Sequence, residues 1–167
     1  MAREAGPAPA ARPSALARMA ARCPGDLASL RDRALLLLTA SGLGGERLLA
    51  LDREHVRFTG QGMELAVPGP DDGAGLAAGP PALAGGMPAE GGEVRVVARM
   101  TASAACPVRA LKDWLRGSDT RFGPVFRKVD RWGTVEHRRL RPDALRRIWQ
   151  RRAKALRASR RTEMDPA

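Results

Sequence analysis

The residues of this chain best suited to chemistry are cations. Arg127 and Lys128 precede a turn-forming stretch, Asp130-Arg-Trp-Gly133, and Arg131 lies within it. Arg146, Arg147, Arg151 and Lys154 lie on a segment whose apolar residues recur at helical spacing. Guanidinium and ammonium groups at that density suit phosphate oxygens, and such contacts are salt-sensitive and largely blind to base sequence. Trp132, at the tip of the basic turn, is placed to stack on a base or sugar. Trp114 and Trp149 fall on apolar stripes instead. The charge is segmental. Residues 1–106 carry 11 Lys/Arg against 11 Asp/Glu and residues 107–167 carry 18 against 7, so the whole formal excess of +11 lies in the second segment. A segment this basic points to a polyanionic partner, nucleic acid first among them.

Other groupings offer less. Ser41-Gly42 has no His and acid arranged around it, and marks the end of a helix. Gly42-Leu-Gly44-Gly45 lacks the Lys-Ser/Thr of a phosphate loop and follows no strand. Asp71-Asp72 falls in a Gly-rich loop and reads as solvated. Cys23 and Cys106, the only cysteines, have no metal-ligand spacing and read as free thiols of a reducing cytosol. No cofactor or metal is expected. The longest apolar run, Ala34 to Leu38, is far short of the roughly 20 residues that span a bilayer. The N-terminus has no apolar signal core.

The elements that must position the cations follow from patterning. Residues 1–25 read as a flexible Ala/Pro-rich linker with a short helix capped by Ser14. Asp26 caps a second helix in which Leu27, Leu30, Ala34, Leu35 and Leu38 share a face, and Gly42 ends it. After a short helix near Glu46 to Leu51, residues 55–59 and 63–67 alternate as a hairpin, and 93–98 form a third strand. Residues 68–92, dense in Gly, Pro and Ala, read as a disordered insert. Pro107 opens a helix that Gly117 stops, with Val108, Leu111 and Leu115 inward. Residues 122–135 read as a strand or tight hairpin about Asp130 to Gly133. Pro142 opens the basic helix, which is expected to run to about Arg157 with Leu145, Ile148, Trp149, Ala153 and Leu156 as its apolar stripe. The fold class is therefore α+β, mainly helical with a small antiparallel sheet.

Leu30 to Leu51, LRDRALLLLTASGLGGERLLAL, resembles the opening of the catalytic domain of tyrosine recombinases, the phage-integrase family. That family has an RDRALLLL-type helix, a TGLR turn and an SELLAL-type helix. Cys106-Pro-Val-Arg-Ala-Leu111, Gly123-Pro-Val-Phe-Arg127 and the basic helix from Ala144 to Arg157 follow in the family's order. The resemblance thus covers roughly residues 26–157, and implies a C-terminally truncated catalytic-like domain over 26–167 in the fold of DNA breaking-rejoining enzymes.

The resemblance also implies a chemistry. In that family a tyrosine attacks a phosphodiester while arginines, a His and a hairpin lysine stabilise the phosphate and the leaving oxygen. Here the turn arginine's position holds Gly44. No lysine precedes Lys112, His55 and His137 are followed at +3 by Phe58 and Leu140, and no tyrosine occurs. The expectation is a DNA-binding protein of DNA-recombination and integration ancestry, catalytically inactive, holding double-stranded DNA through Arg127, Lys128, Arg131, Arg146, Arg147, Arg151 and Lys154. An intact recombinase or a second copy is an expected further partner. A bacterial cytoplasmic location, nucleoid-associated when DNA-bound, is expected with it. Two alternatives stay open: a basic RNA- or protein-binding module on the same scaffold, or one half of a split recombinase completed in trans. Truncation is further expected to leave apolar surface exposed on the Ala34–Leu38 helix or the Leu145–Leu156 stripe.

Overall fold

The leucine run organises the interior. The computed structural model of the chain describes residues 14–68 and 93–164, with side chains as far as Arg161. Helix α2 (Leu27–Ala40) starts where the Asp26 carboxylate accepts the Ser29 N–H at 3.2 Å. It ends at Ser41, followed by Gly42 at φ +91°. Ala34 to Leu38 are all buried, none more than 2% exposed. Consecutive burial needs neighbours on most sides. Helix α1 (Ala15–Ala21), capped by Ser14, packs on α2 with Met19 and Ala20 in the core, and α4 (Pro107–Gly117) also packs on α2. The short first helix therefore belongs to the core rather than to a linker. Residues 1–13 lie outside the described residues.

Gly44 caps α3 (Gly45–Leu49), which buries Leu48 and Leu49. A 3₁₀ turn (Arg53–His55) then leads into an antiparallel sheet of β1 (Val56–Phe58), β2 (Gly62–Val67) and β3 (Glu93–Ala98), in that order. The register sets Val56 against Leu65 and Met63 against Val97. Met63, Leu65, Val67 and Val97 thus face the core, while Val94 and Val96 stay exposed on the other side. Of the expected insert, all but Pro68 falls outside the described residues.

In α4, Pro107 at the first position is preorganised for a helix, and Val108, Ala110, Leu111, Trp114 and Leu115 are buried. The Trp114 indole N–H donates to the Val125 carbonyl at 2.8 Å, so this large ring is buried with its polar atom satisfied.

Residues 123–127, expected as one strand, divide. The Val125 N–H donates to Leu51 O and the Arg53 N–H to Gly123 O, and Asp52 bridges Pro124. Only from Arg127 does the chain enter the second sheet, where β4 (Arg127–Val129) pairs antiparallel with β5 (Val135–Arg139). Helix α5 (Pro142–Met164) follows and runs about two turns past the expected end.

The expected apolar exposure is not found. Leu145, Ile148 and Leu156 are 3%, 4% and 9% exposed, and the α2 run is buried as well. Contacts of α5 with α1 and α3, and of α2 with α1 and α4, cover these stripes. The architecture is α+β, with two small antiparallel sheets beside a helical core. Among the described residues no helix is long and apolar enough to cross a membrane.

Candidate nucleic-acid interface

The hairpin between β4 and β5 has a fixed tip. One Asp130 carboxylate oxygen accepts the N–H groups of Trp132 and Thr134, each at 2.8 Å, and Gly133 takes φ +85°. Only a residue tolerant of the left-handed region closes such a turn without strain. The turn projects Trp132, 78% exposed, with the Arg131 guanidinium 4.8 Å from its ring centre. A cation stacked on an exposed indole presents charge and an aromatic face together.

Arg127 and Lys128 of the hairpin are engaged. Arg127 is partly buried and donates to the Ser118 carbonyl at 3.1 Å and the Thr120 hydroxyl at 2.7 Å. Lys128 pairs across the strands with Glu136 at 2.6 Å. Arg127 therefore ties β4 to the end of α4, and Lys128 reaches solvent with its charge partly offset.

Helix α5 turns Leu145, Ile148, Arg152 and Leu156 inward, leaving the opposite side to solvent. Arg147, Arg151, Lys154 and Arg161 follow one another at i, i+4, i+7 and i+14. They form an exposed stripe about 21 Å long at 1.5 Å per residue. Within it Arg151 donates to the buried Asp32 carboxylate at 2.9 Å. Beside it Arg146 pairs with Asp143 at 2.9 Å. Arg147, Lys154, Arg157 and Arg161 make no ion pair among the described residues.

The seven cations inferred from the sequence thus separate by environment. Arg131, Arg147 and Lys154 are exposed and make no ion pair among the described residues. Lys128, Arg146 and Arg151 are exposed but each is paired with a carboxylate, of Glu136, Asp143 and Asp32 respectively. Arg127 is a structural tie. Arg161 was missed because the helix had been expected to end near Arg157, and no Gly or Pro marks an end before Met164.

At the turn, Gly44 is exposed and caps α3 with backbone only, and a Cβ built there meets nothing within 4 Å. The nearby Arg47 points to Glu93, at 3.3 Å. His55 accepts the Asp52 N–H through Nδ1 as part of a capping box, while His137 is exposed on β5. No nucleophile and base come together at this surface among the described residues, so what the arrangement offers is charge. Comparison of the chain with protein-family models, with curated proteins and with solved structures gives no match.

Proposed function

We propose that this protein binds double-stranded DNA through the α5 stripe and the β4–β5 tip, on a scaffold like that of the tyrosine-recombinase catalytic domain, without cutting the strand. The observation that carries the proposal is the stripe itself. Arg147, Lys154 and Arg161 are exposed and unpaired among the described residues on one side of a regular helix, with Arg131 on a rigid turn nearby in sequence. Such cations take up phosphate oxygens and release counterions. The non-cleaving part of the proposal is supported by the residues given: no tyrosine is present among the 167, and Gly44 offers no side chain to a phosphate.

Fluorescence anisotropy with a labelled duplex tests the binding. Four free phosphate contacts give a slope of log K against log salt near about −3.6, hence on the order of a hundredfold loss of affinity between 50 and 200 mM salt. Affinity indifferent to salt would remove the proposal, as would stronger binding to single-stranded RNA than to duplex. A nicked duplex that traps covalent intermediates tests the second half. No denaturant-resistant adduct is expected, and any adduct formed by this chain refutes the non-cleaving assignment.

A further inference from the structure

Helix α4 carries a second group of cations that duplex binding does not use. Arg109, Lys112 and Arg116 stand at i, i+3 and i+7, on one face and within about 10 Å along the axis. They line one wall of a cleft of about 440 Å³, and Arg99 and Met100, just after β3, line it with them. Asp113 is the single carboxylate in the lining. Arg99, Arg109, Lys112 and Arg116 make no ion pair among the described residues.

The walls are held by bonds that leave these cations free. The Arg99 N–H donates to Gln61 O at 2.8 Å, and the Met100 N–H points at the Cys106 sulfur, 3.4 Å away. Arg33 of α2 donates to the carbonyls of Ser103 and Ala104, at 3.4 and 2.9 Å, fixing the turn that leads into α4. The Lys112 ammonium sits 4.8 Å from the centre of the Phe58 ring. Burial pushes the Cys106 thiol up, but the N–H groups of Met100, Arg109 and Val108, together with Arg99, hold it below the ordinary thiol value.

Four cations gathered around a concave space against one carboxylate repel one another, and a bound anion relieves that repulsion. The volume falls within the range of small-molecule sites and is too narrow to admit a duplex. We propose that the cleft between α4 and Arg99–Met100 binds a compact oligophosphate of the di- or triphosphate class, with Arg99, Arg109, Lys112 and Arg116 as its ligands. The phosphates would come from an inorganic oligophosphate or from the tail of a nucleotide. This site is independent of the α5 stripe and does not rest on duplex binding.

Isothermal titration of the full chain with sodium tripolyphosphate, and separately with ATP, tests it. Saturable one-site binding is expected. The Arg109→Gln/Arg116→Gln pair should weaken it at least tenfold. The charge-matched pair Arg147→Gln/Lys154→Gln should change it less than twofold. Both cleft positions are exposed, and far-UV circular dichroism checks the fold. Should the cleft pair unfold, Arg116→Gln alone carries the comparison, with at least a threefold loss expected. Equal affinity for the two ligands assigns recognition to the phosphate chain, and tighter ATP binding assigns it to a nucleotide. Equal weakening by both variant pairs, or no saturable binding at about 1 mM ligand, overturns the proposal.

Discussion

Asp32 is the residue whose loss should cost this protein most. It is fully buried, and three guanidinium groups converge on its carboxylate. Arg31 donates twice to one oxygen, at 3.2 and 2.8 Å, while Arg151 and Arg152 each donate to the other at 2.9 Å. Arg152 also reaches the Ser29 hydroxyl at 2.7 Å, so α5 is fastened to α2 at two adjoining points. Asp32→Asn keeps the shape and removes the charge. Arg31, with 5% of its side chain exposed, then becomes a buried cation with no counter-charge. Breaking a buried pair from one side costs about 3–5 kcal/mol. The exposed Arg151 adds little, since its side chain is 61% accessible and such pairs are worth at most about 1 kcal/mol. Against a total stability of about 5–15 kcal/mol, the loss should lower Tm by about 6–20 °C. Thermal and urea melts followed by circular dichroism measure it, with Arg151→Ala as the mild control. A double-mutant cycle with Arg152→Ala should return a coupling above about 1 kcal/mol. If Asp32→Asn lies within about 1 kcal/mol of the parent, the carboxylate does not fasten α5, and the account of this core is wrong.

Four further outcomes are expected. Gly45→Ala should destabilise by about 1–3 kcal/mol in a urea melt, because a Cβ there would stand 2.7 Å from Leu145 Cδ2 and 2.8 Å from the Trp149 ring. Gly44→Arg, one residue earlier and in open space, should shift stability by no more than about 0.5 kcal/mol in the same assay. Asp26→Ala should cost about 1 kcal/mol at pH 7 through the lost helix cap. The Ser29 side chain, then its backbone N–H, holds the Asp26 carboxyl below its ordinary 3.8, so the cap's contribution is full above that value and disappears as pH falls through the lower folded one. Melts of parent and variant should therefore converge below about pH 3.8. Arg147→Gln should weaken duplex binding and reduce the salt slope by about 1, and Arg151→Gln should do markedly less, as anisotropy titrations will show.

The elements were legible where their causes are local. Ser14, Asp26 and Pro107 sit at helix starts and act as caps or first-turn residues whatever surrounds them. The alternation in Glu93–Ala98 gave its strand to the residue. Residues 123–127 were not legible as two pieces, since pairing of Gly123 and Val125 with the 51–53 segment depends on a fold that brings distant residues together. The cations show the same boundary. On a helical projection Arg147 and Arg151 are equivalent, and what separates them is Asp32, 119 positions from Arg151. The cleft cations were hidden because Arg99 belongs to a different element from Arg109, Lys112 and Arg116.

A pattern joins several of the arginines that turn inward. Arg139 donates to the carbonyls of Leu49, the last residue of α3, and of Leu51 just after it. Arg127 donates to Ser118 O at the end of α4, Arg33 to Ser103 O and Ala104 O of the 3₁₀ turn Ser103–Ala105, and Arg53 to Val56 O at the start of β1. Leu49 O, Leu51 O and Ser118 O lie at or just past the C-terminal ends of α3 and α4, where the last carbonyls have no partner within the helix and carry partial negative charge. The fork of five N–H donors on arginine reaches two such oxygens at once, which a lysine does less well. These four arginines thus hold the protein's own backbone carbonyls. They keep their charge, but the N–H donors engaged this way are not free for phosphate oxygens. A salt slope corresponding to about four contacts, rather than to every cation after residue 106, is the quantitative consequence.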